Sequence, residues 1–445
     1  MSPCRVAPWR VRTPGSTLDG VTGQTTFASA PVRPAVAATL AEPGAVRHAV
    51  PAYGGAVMGT GVVGVAAHTL PVRFPGFGVL ATASWLAAST LLVLVVAALV
   101  LQGARHPEVA RAHLLDRRTV PATGTIAMAG MTVGTATLLV GGHLLGRAAV
   151  VVDVAVQVPA GLLGLATAVG VPLLLATGRP SDGPGDAAAV WLLPVVPPMV
   201  SAAAGALLAP HLGAARAGVL VLCLALFGLS LFAALLMLTL VWARLLLHGG
   251  EPAAAAPSVW VVLGPLGQGA TALGAIAVAA PGAFPPPYPA GLAVLAMTGG
   301  LALLGFATFW AALAAAVTVR AHRQGLPFTL GWWSLTFPIG TCVTGLSSLA
   351  ARIDLVTLRW GAVAAFGGLL AAWCAVAGRS VHALLGGGIT SPLAPPLAPR
   401  GPDAGSAAPA AAATAQQHGS HRADTEAGER QDRHPGCLRQ RLRQG

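Results

Sequence analysis

The chain has 445 residues, 55% apolar and only 9% charged, with a mean hydropathy of +0.73, whereas about a quarter of an ordinary soluble domain is charged. That balance excludes a water-soluble fold. All 26 cationic residues are Arg and, against 14 acids, leave a net charge of +12, but residues 1–50 and 383–445 hold 12 of the Arg and 7 of the acids, so the span between them has no basic face for nucleic acid.

Residues 1–50 are broken by Pro, Arg and Gly, contain no uninterrupted apolar run, and read as a disordered tail without a signal peptide. The first membrane segment is then the targeting signal. Ten apolar segments follow, each near the roughly 20 residues that cross about 30 Å of hydrocarbon as a helix. Segment 53–70 contains GGAVMGTGVVG and ends at His68, before the connector PVRFPG; segment 77–101 is aliphatic and leads into ARHPEVARAHLLDRRTV. Segments 121–145 and 150–175 are separated only by Gly146 and Arg147, with His143 at the end of the first and Asp153 and Gln157 opening the second. Asp153 reads as an interfacial residue paired with Arg147. Segments 189–209 and 217–242 follow GRPSDGPGD and PHLGAAR, and segments 258–280 and 290–318 follow LLHGGEPAAAAP and PGAFPPPYP. The last two, 329–350 and 358–380, follow RAHRQGLPF and DLVTLR; Trp332 and Trp333 read as cytoplasmic interface anchors. Residues 383–445, rich in Gly, Pro and Ala and then in charge and Gln, read as a second low-complexity, disordered tail.

With the N-terminus inside, the cytoplasmic connectors and the end of the last helix hold nine Arg, among them Arg117, Arg118 and Arg379, and the outer connectors hold five, Arg73, Arg147, Arg216, Arg352 and Arg359. This asymmetry predicts a multi-pass cell-membrane protein with both termini cytoplasmic. The segments also alternate in kind. Even ones are rich in large aliphatics, as in VLVLCLALFGLSLFAALLMLTLV at 219–241, whereas odd ones carry Gly, Pro, Ser and Thr through their middles. Small residues permit close helix approach, and Pro frees carbonyls that lipid cannot satisfy. The expected fold is therefore all-α and integral to the membrane: ten transmembrane helices as five tandem hairpins around a central pore, odd helices inner and even helices outer.

The inner segments contain no Asp or Glu, which argues against a cation pump. Their polar groups suit a weakly held anion: Thr60, Thr123, Thr125, Thr132, Ser201, Gln268, Thr271, Thr336, Thr341 and Thr344, with backbone exposed at Gly61 and Pro338. Each single Thr has an alternative use in bonding to its own helix. The five Cys form no CxxC pair, no HExxH occurs, and Ser201 and Ser334 have no His at helical spacing, so neither a metal, a cofactor nor an intramembrane enzyme is expected. Met58 and Met128 read as packing residues. Without a carboxylate on the pathway, transport down the anion's own gradient is the first reading and proton-coupled carriage the alternative.

The stretch GWWSLTFPIGT at 331–341, with GAVMGTGVVGVAAH at 55–68, LPVVPPMVSAAAGA at 193–206 and VWVVLGPLGQGATALGA at 259–275, resembles the tellurite-resistance/dicarboxylate transporter family, which includes slow-type plant anion channels and yeast malate and sulfite carriers. The resemblance spans residues 51–382, and WWSxTFP is its most specific part. It implies a ten-helix transport domain, a homotrimer in the lipid bilayer with one pore per protomer, and a substrate among C4-dicarboxylates, tellurite, sulfite, nitrate and halides. It also implies that Phe337 projects into the pore and occludes it. Independently, Pro338 biases the backbone of Phe337 away from an ideal helix and is expected to open a kink there.

Overall fold

Hydrocarbon offers no hydrogen-bond partner, so a chain this apolar must close its backbone bonds within its own segments, and helices do so. The computed structural model describes residues 46–178, 187–248 and 253–385. The two tails, and with them the expectation of their disorder, lie outside the described residues. Among those residues there is no strand, and ten helices have twelve residues or more. They are α1 (Gly54–Thr69), α2 (Phe77–Arg105), α3 (Thr123–Leu139), α4 (Arg147–Thr177), α5 (Pro197–Leu208), α6 (Arg216–Leu247), α7 (Leu263–Ala279), α8 (Tyr288–Arg323), α9 (Thr336–Ile353) and α10 (Val356–Leu385). Eight of them, some counted with their lead-in turns, are long and apolar enough to cross a membrane. The protein is a multi-pass helical membrane protein. α1 and α5, of 16 and 12 residues, fall below that length.

Local sequence explains where the elements stop. Gly146 has φ 54°, a left-handed conformation open to Gly, and it ends the turn Gly142–Leu145 immediately before α4 begins. Each odd helix is entered through a 3-10 segment: Pro51–Tyr53, Val120–Ala122, Ala189–Leu192, Ala253–Val262 and Leu330–Leu335. The fifth segment is therefore not one helix. Pro194, Pro197 and Pro198 lack the N–H that a helix interior requires, so α5 proper starts only at Pro197. The expected kink at Pro338 is likewise absent as such. Pro338 lies in the first turn of α9, where its missing N–H breaks no intrahelical bond, and the change of direction takes the form of a 3-10 to α junction at Thr336.

The odd helices touch one another in the cycle α1, α3, α5, α7, α9 and back to α1, and each also lies against the even helix that follows it. Burial follows the same division. The most apolar windows of the α3, α7 and α9 segments are 72%, 89% and 61% buried, against 17–28% in the even helices, whose large aliphatics, such as Val93, Leu162 and Leu236, point outward. The tightest seam is α7 on α9: a Cβ on Gly267 would fall 2.6 Å from Thr341 Oγ1 and against the backbone of Cys342.

Every even helix turns at least one polar side chain toward the inner layer. Trp85 of α2 donates to Thr137 Oγ1 (2.9 Å), Gln157 of α4 to Met131 O (3.1 Å), Ser230 of α6 to Val195 O (2.6 Å), Trp310 of α8 to Val259 O (2.9 Å) and Trp373 of α10 to Thr60 Oγ1 (3.2 Å). Three of these acceptors are backbone carbonyls, Met131 in α3 and Val195 and Val259 in the proline-interrupted leads of α5 and α7. These bonds fix the rotation of each outer helix against the core without exposing a polar atom to lipid.

Candidate functional site

The cycle of odd helices encloses two cavities. The smaller, about 100 Å³, lies where these helices begin and is bordered by Gly55, Met58, Thr125, Met128, Trp333 and Phe337, with parts of the α5 and α7 leads. The larger, about 400 Å³, lies toward the ends of the same helices. All five odd helices therefore run parallel. Phe337 is the one residue that borders both cavities, and it is 4% exposed.

α3, α7 and α9 each present one stripe at spacings of three, four or seven, the repeats that keep side chains on one helical face. On α3 it runs Thr125, Met128, Thr132, Thr135, Leu139, passing from the smaller cavity into the larger. On α7 it runs Gly264, Gln268, Thr271, Ala275, Val278, and on α9 Phe337, Thr344, Ser348, Ala351. Of the candidates read from sequence, Thr125, Thr132, Gln268, Thr271, Thr344, Phe337 and Pro338 border the cavities. Thr123 donates to Val120 O (2.6 Å) in the lead of its own helix, and the others lie on seams between helices. Thr60 accepts from Trp373 of α10, Gly61 packs against Thr132 of α3, and Ser201 donates to Met131 Sδ at 3.4 Å. Thr336 donates to Trp333 O (2.9 Å) against Gly59, while Thr341 donates to Pro338 O (2.7 Å) beside α7.

The chambers differ in chemistry. Apart from Thr125 and Ser334 the side chains around the smaller one are apolar or aromatic. The larger carries Thr132, Thr135, Gln268, Thr271, Thr344 and the Ser347–Ser348 pair, with His68 and the exposed Arg73 toward the helix ends, and no carboxylate borders either cavity among the described residues. Most of the threonine protons are already engaged. Thr132 donates to Met128 O (2.7 Å) and Thr271 lies 3.0 Å from Gly267 O and 2.7 Å from Thr344 Oγ1, which is itself 3.0 Å from Thr341 O. Gln268, Ser347 and Ser348 make no hydrogen bond within the described residues. The donors that remain open on the cavity wall are thus the Gln268 amide and the Ser348 hydroxyl, in the same chamber as the Arg73 charge. An anion, which accepts hydrogen bonds and donates few, fits that wall.

The sequence from 48 to 381 matches the SLAC1 family, described as voltage-dependent anion channel. The chain belongs to that family. It is 29% identical over 314 residues to the sulfite efflux pump SSU1 of Arthroderma otae, covering 67% of this chain and 81% of that protein, and 28% identical over 313 residues to the same pump of Trichophyton rubrum, covering 67% and 80%. An uncharacterized transporter of Methanocaldococcus jannaschii is 31% identical over 156 residues, 34% of this chain and 43% of that one. The resemblance to the tellurite-resistance/dicarboxylate transporter group and its anion channels and sulfite carriers therefore holds, and membership is of a transport family rather than an enzyme family.

Three residues were misjudged from sequence. Trp333 is not an interface anchor: it is buried, donates to Ser380 Oγ of α10 (3.2 Å) and borders the smaller cavity, while Trp332 stays half-buried beneath the Arg379 guanidinium, 5.2 Å away. Asp153 does not pair as expected. It is 0% exposed and makes no pair with Arg147, which is exposed, because six helical positions put the two on different sides of α4. Ser348 was unmarked, although its spacing of eleven from Phe337 and four from Thr344 places it on the same stripe.

Proposed function

We propose that the chain moves small anions across the cell membrane through a pore formed within each protomer by the five odd helices, with the Phe337 ring as its gate. In this reading all ten helices cross the bilayer as five tandem hairpins, α1 and α5 reaching through with the help of their 3-10 leads. The smaller chamber faces the cytoplasm, as do both termini, and the larger faces outward. Three protomers associate, each with its own pathway, since both chambers are bordered by residues of one chain.

The observation that carries the reading is the position of Phe337 between two chambers whose walls bear no negative charge. Below the ring the path is narrow and apolar; above it, Gln268 and Arg73 offer an amide and a cation. Binding by uncharged donors holds an anion weakly enough to let it leave. The similarity to sulfite efflux pumps makes sulfite the first anion to test, followed by tellurite, nitrate, chloride and C4-dicarboxylates. Purified protein in liposomes is expected to release loaded sulfite or chloride in response to a concentration gradient. Protein-free and protein-containing vesicles that leak all of these anions equally would refute the function.

A further inference from the structure

α4 carries one acid, Asp153, and both of its carboxylate oxygens are enclosed without a hydrogen-bond partner. It abuts α3 where that helix has no side chain: a Cβ on Gly134 would come within 2.6 Å of Asp153 Oδ1. The nearby amide does not serve it. Gln157 Nε2 donates to Met131 O (3.1 Å) and to Thr135 Oγ1 (3.2 Å), which engages both of its protons. No cation serves it either. The elements packed on α4 are α3, α5 and the turns Gly142–Leu145 and Val120–Ala122. α3, α5 and Val120–Ala122 contain no titratable residue, and on α4 and Gly142–Leu145 the remaining ones are Arg147 and His143, both exposed and neither within ion-pairing distance of Asp153.

A carboxylate charge in such a place has nothing to compensate it, and a proton is the one species that can neutralise it there. Thr135, the next residue after Gly134 and the partner of Gln157, borders the larger cavity. We propose that Asp153 is a proton-binding site coupled to anion passage. A hydronium ion that reaches Asp153 from the cavity transfers its proton to a carboxylate oxygen, forming the O–H bond and leaving a water molecule. Neutral Asp153 adds no field to the chamber, whereas ionised Asp153 places a negative charge just behind its wall and opposes anion occupancy. This restores a carboxylate to a pathway whose own lining has none, and it rests on reading the larger cavity as the anion path.

The test compares wild-type protein and Asp153→Asn in liposomes, with equal pH on both sides varied from acid to alkaline. Wild-type sulfite or chloride flux is expected to fall about tenfold or more as the pH rises, and Asp153→Asn to hold the acid-side rate throughout. Infrared difference spectra after a pH jump should contain a protonated-carboxyl C=O band that titrates in the wild type and is missing in Asp153→Asn. If the Asn variant does not fold, Asp153→Glu should shift both that band and the flux midpoint. A wild-type pH profile retained in Asp153→Asn, an unshifted profile in Asp153→Glu, or no titrating carboxyl band overturns the proposal. Wild-type protein that passes no anion at any pH refutes the anion reading of the cavity, whereas a titrating band in the same protein still supports the proton site.

Discussion

Replacing Phe337 by Ala removes the one side chain that borders both chambers, of about 100 and 400 Å³. Phe→Ala in a fully packed core costs about 3–5 kcal/mol. Phe337 is enclosed yet bordered by space on two sides, so about half of that, roughly 2 kcal/mol, is the worth of its contacts. Displacing the ring to let an anion pass requires giving up the same contacts, which makes about 2 kcal/mol the barrier that the substitution abolishes, or a rise in flux of about 30-fold. The assay is sulfite or chloride efflux from liposomes at matched protein content, with chromatography and thermal unfolding in detergent to confirm that the variant assembles. Phe337→Leu keeps part of the bulk and should lie between the two. An alanine variant that folds, loses the expected stability and still conducts within about twofold of the wild type would refute the gate and leave Phe337 as a packing residue.

Gln268→Glu would put a negative charge on the wall of the larger chamber; at about 5 Å from a monovalent anion and an effective dielectric constant of about 20 the repulsion is about 3 kcal/mol, so flux should drop about a hundredfold. Flux within about threefold of wild type would remove Gln268 from the pathway. A Cys placed at exposed Tyr288 should react with an impermeant thiol reagent in intact cells and one at exposed Arg118 only after permeabilisation; reversed labelling would invert the proposed orientation. Chemical crosslinking of the protein in its membrane should proceed to a trimer, and a ladder that stops at two subunits would rule out that assembly.

Much of the architecture was legible from hydropathy and composition. Lipid selects for large aliphatics on any surface that faces it, and close helix contact selects for Gly, Ala, Ser and Thr, so the contrast between 219–241 and 263–275 separates an outer helix from an inner one before any coordinates are known. Within the inner helices the cavity face was also legible in principle. The run Thr125, Met128, Thr132, Thr135, Leu139 has the helical repeat on its surface, which sets Thr125 and Thr132 on one face of α3.

Residue type alone selects Thr60 as readily as Thr132, since both are hydroxyls in small-residue helices. What distinguishes them is a partner: Thr60 is claimed by Trp373, 313 positions away. The same holds for Trp333, whose indole finds Ser380 in the last helix, and for Pro338, whose effect depends on where α9 begins. Asp153 is the sharpest case. Near the start of a helix and close to an Arg, an acid reads from sequence as an interfacial pair. Its enclosure depends on the rotation of α4 about its axis, which is set by Gln157 reaching Met131 and Thr135 and by the space that Gly134 leaves on α3. Hydropathy and periodicity are properties of one segment and follow from the solvent it meets, whereas the facing of a single side chain is a property of two segments at once, and the chain order contains only one of them at a time.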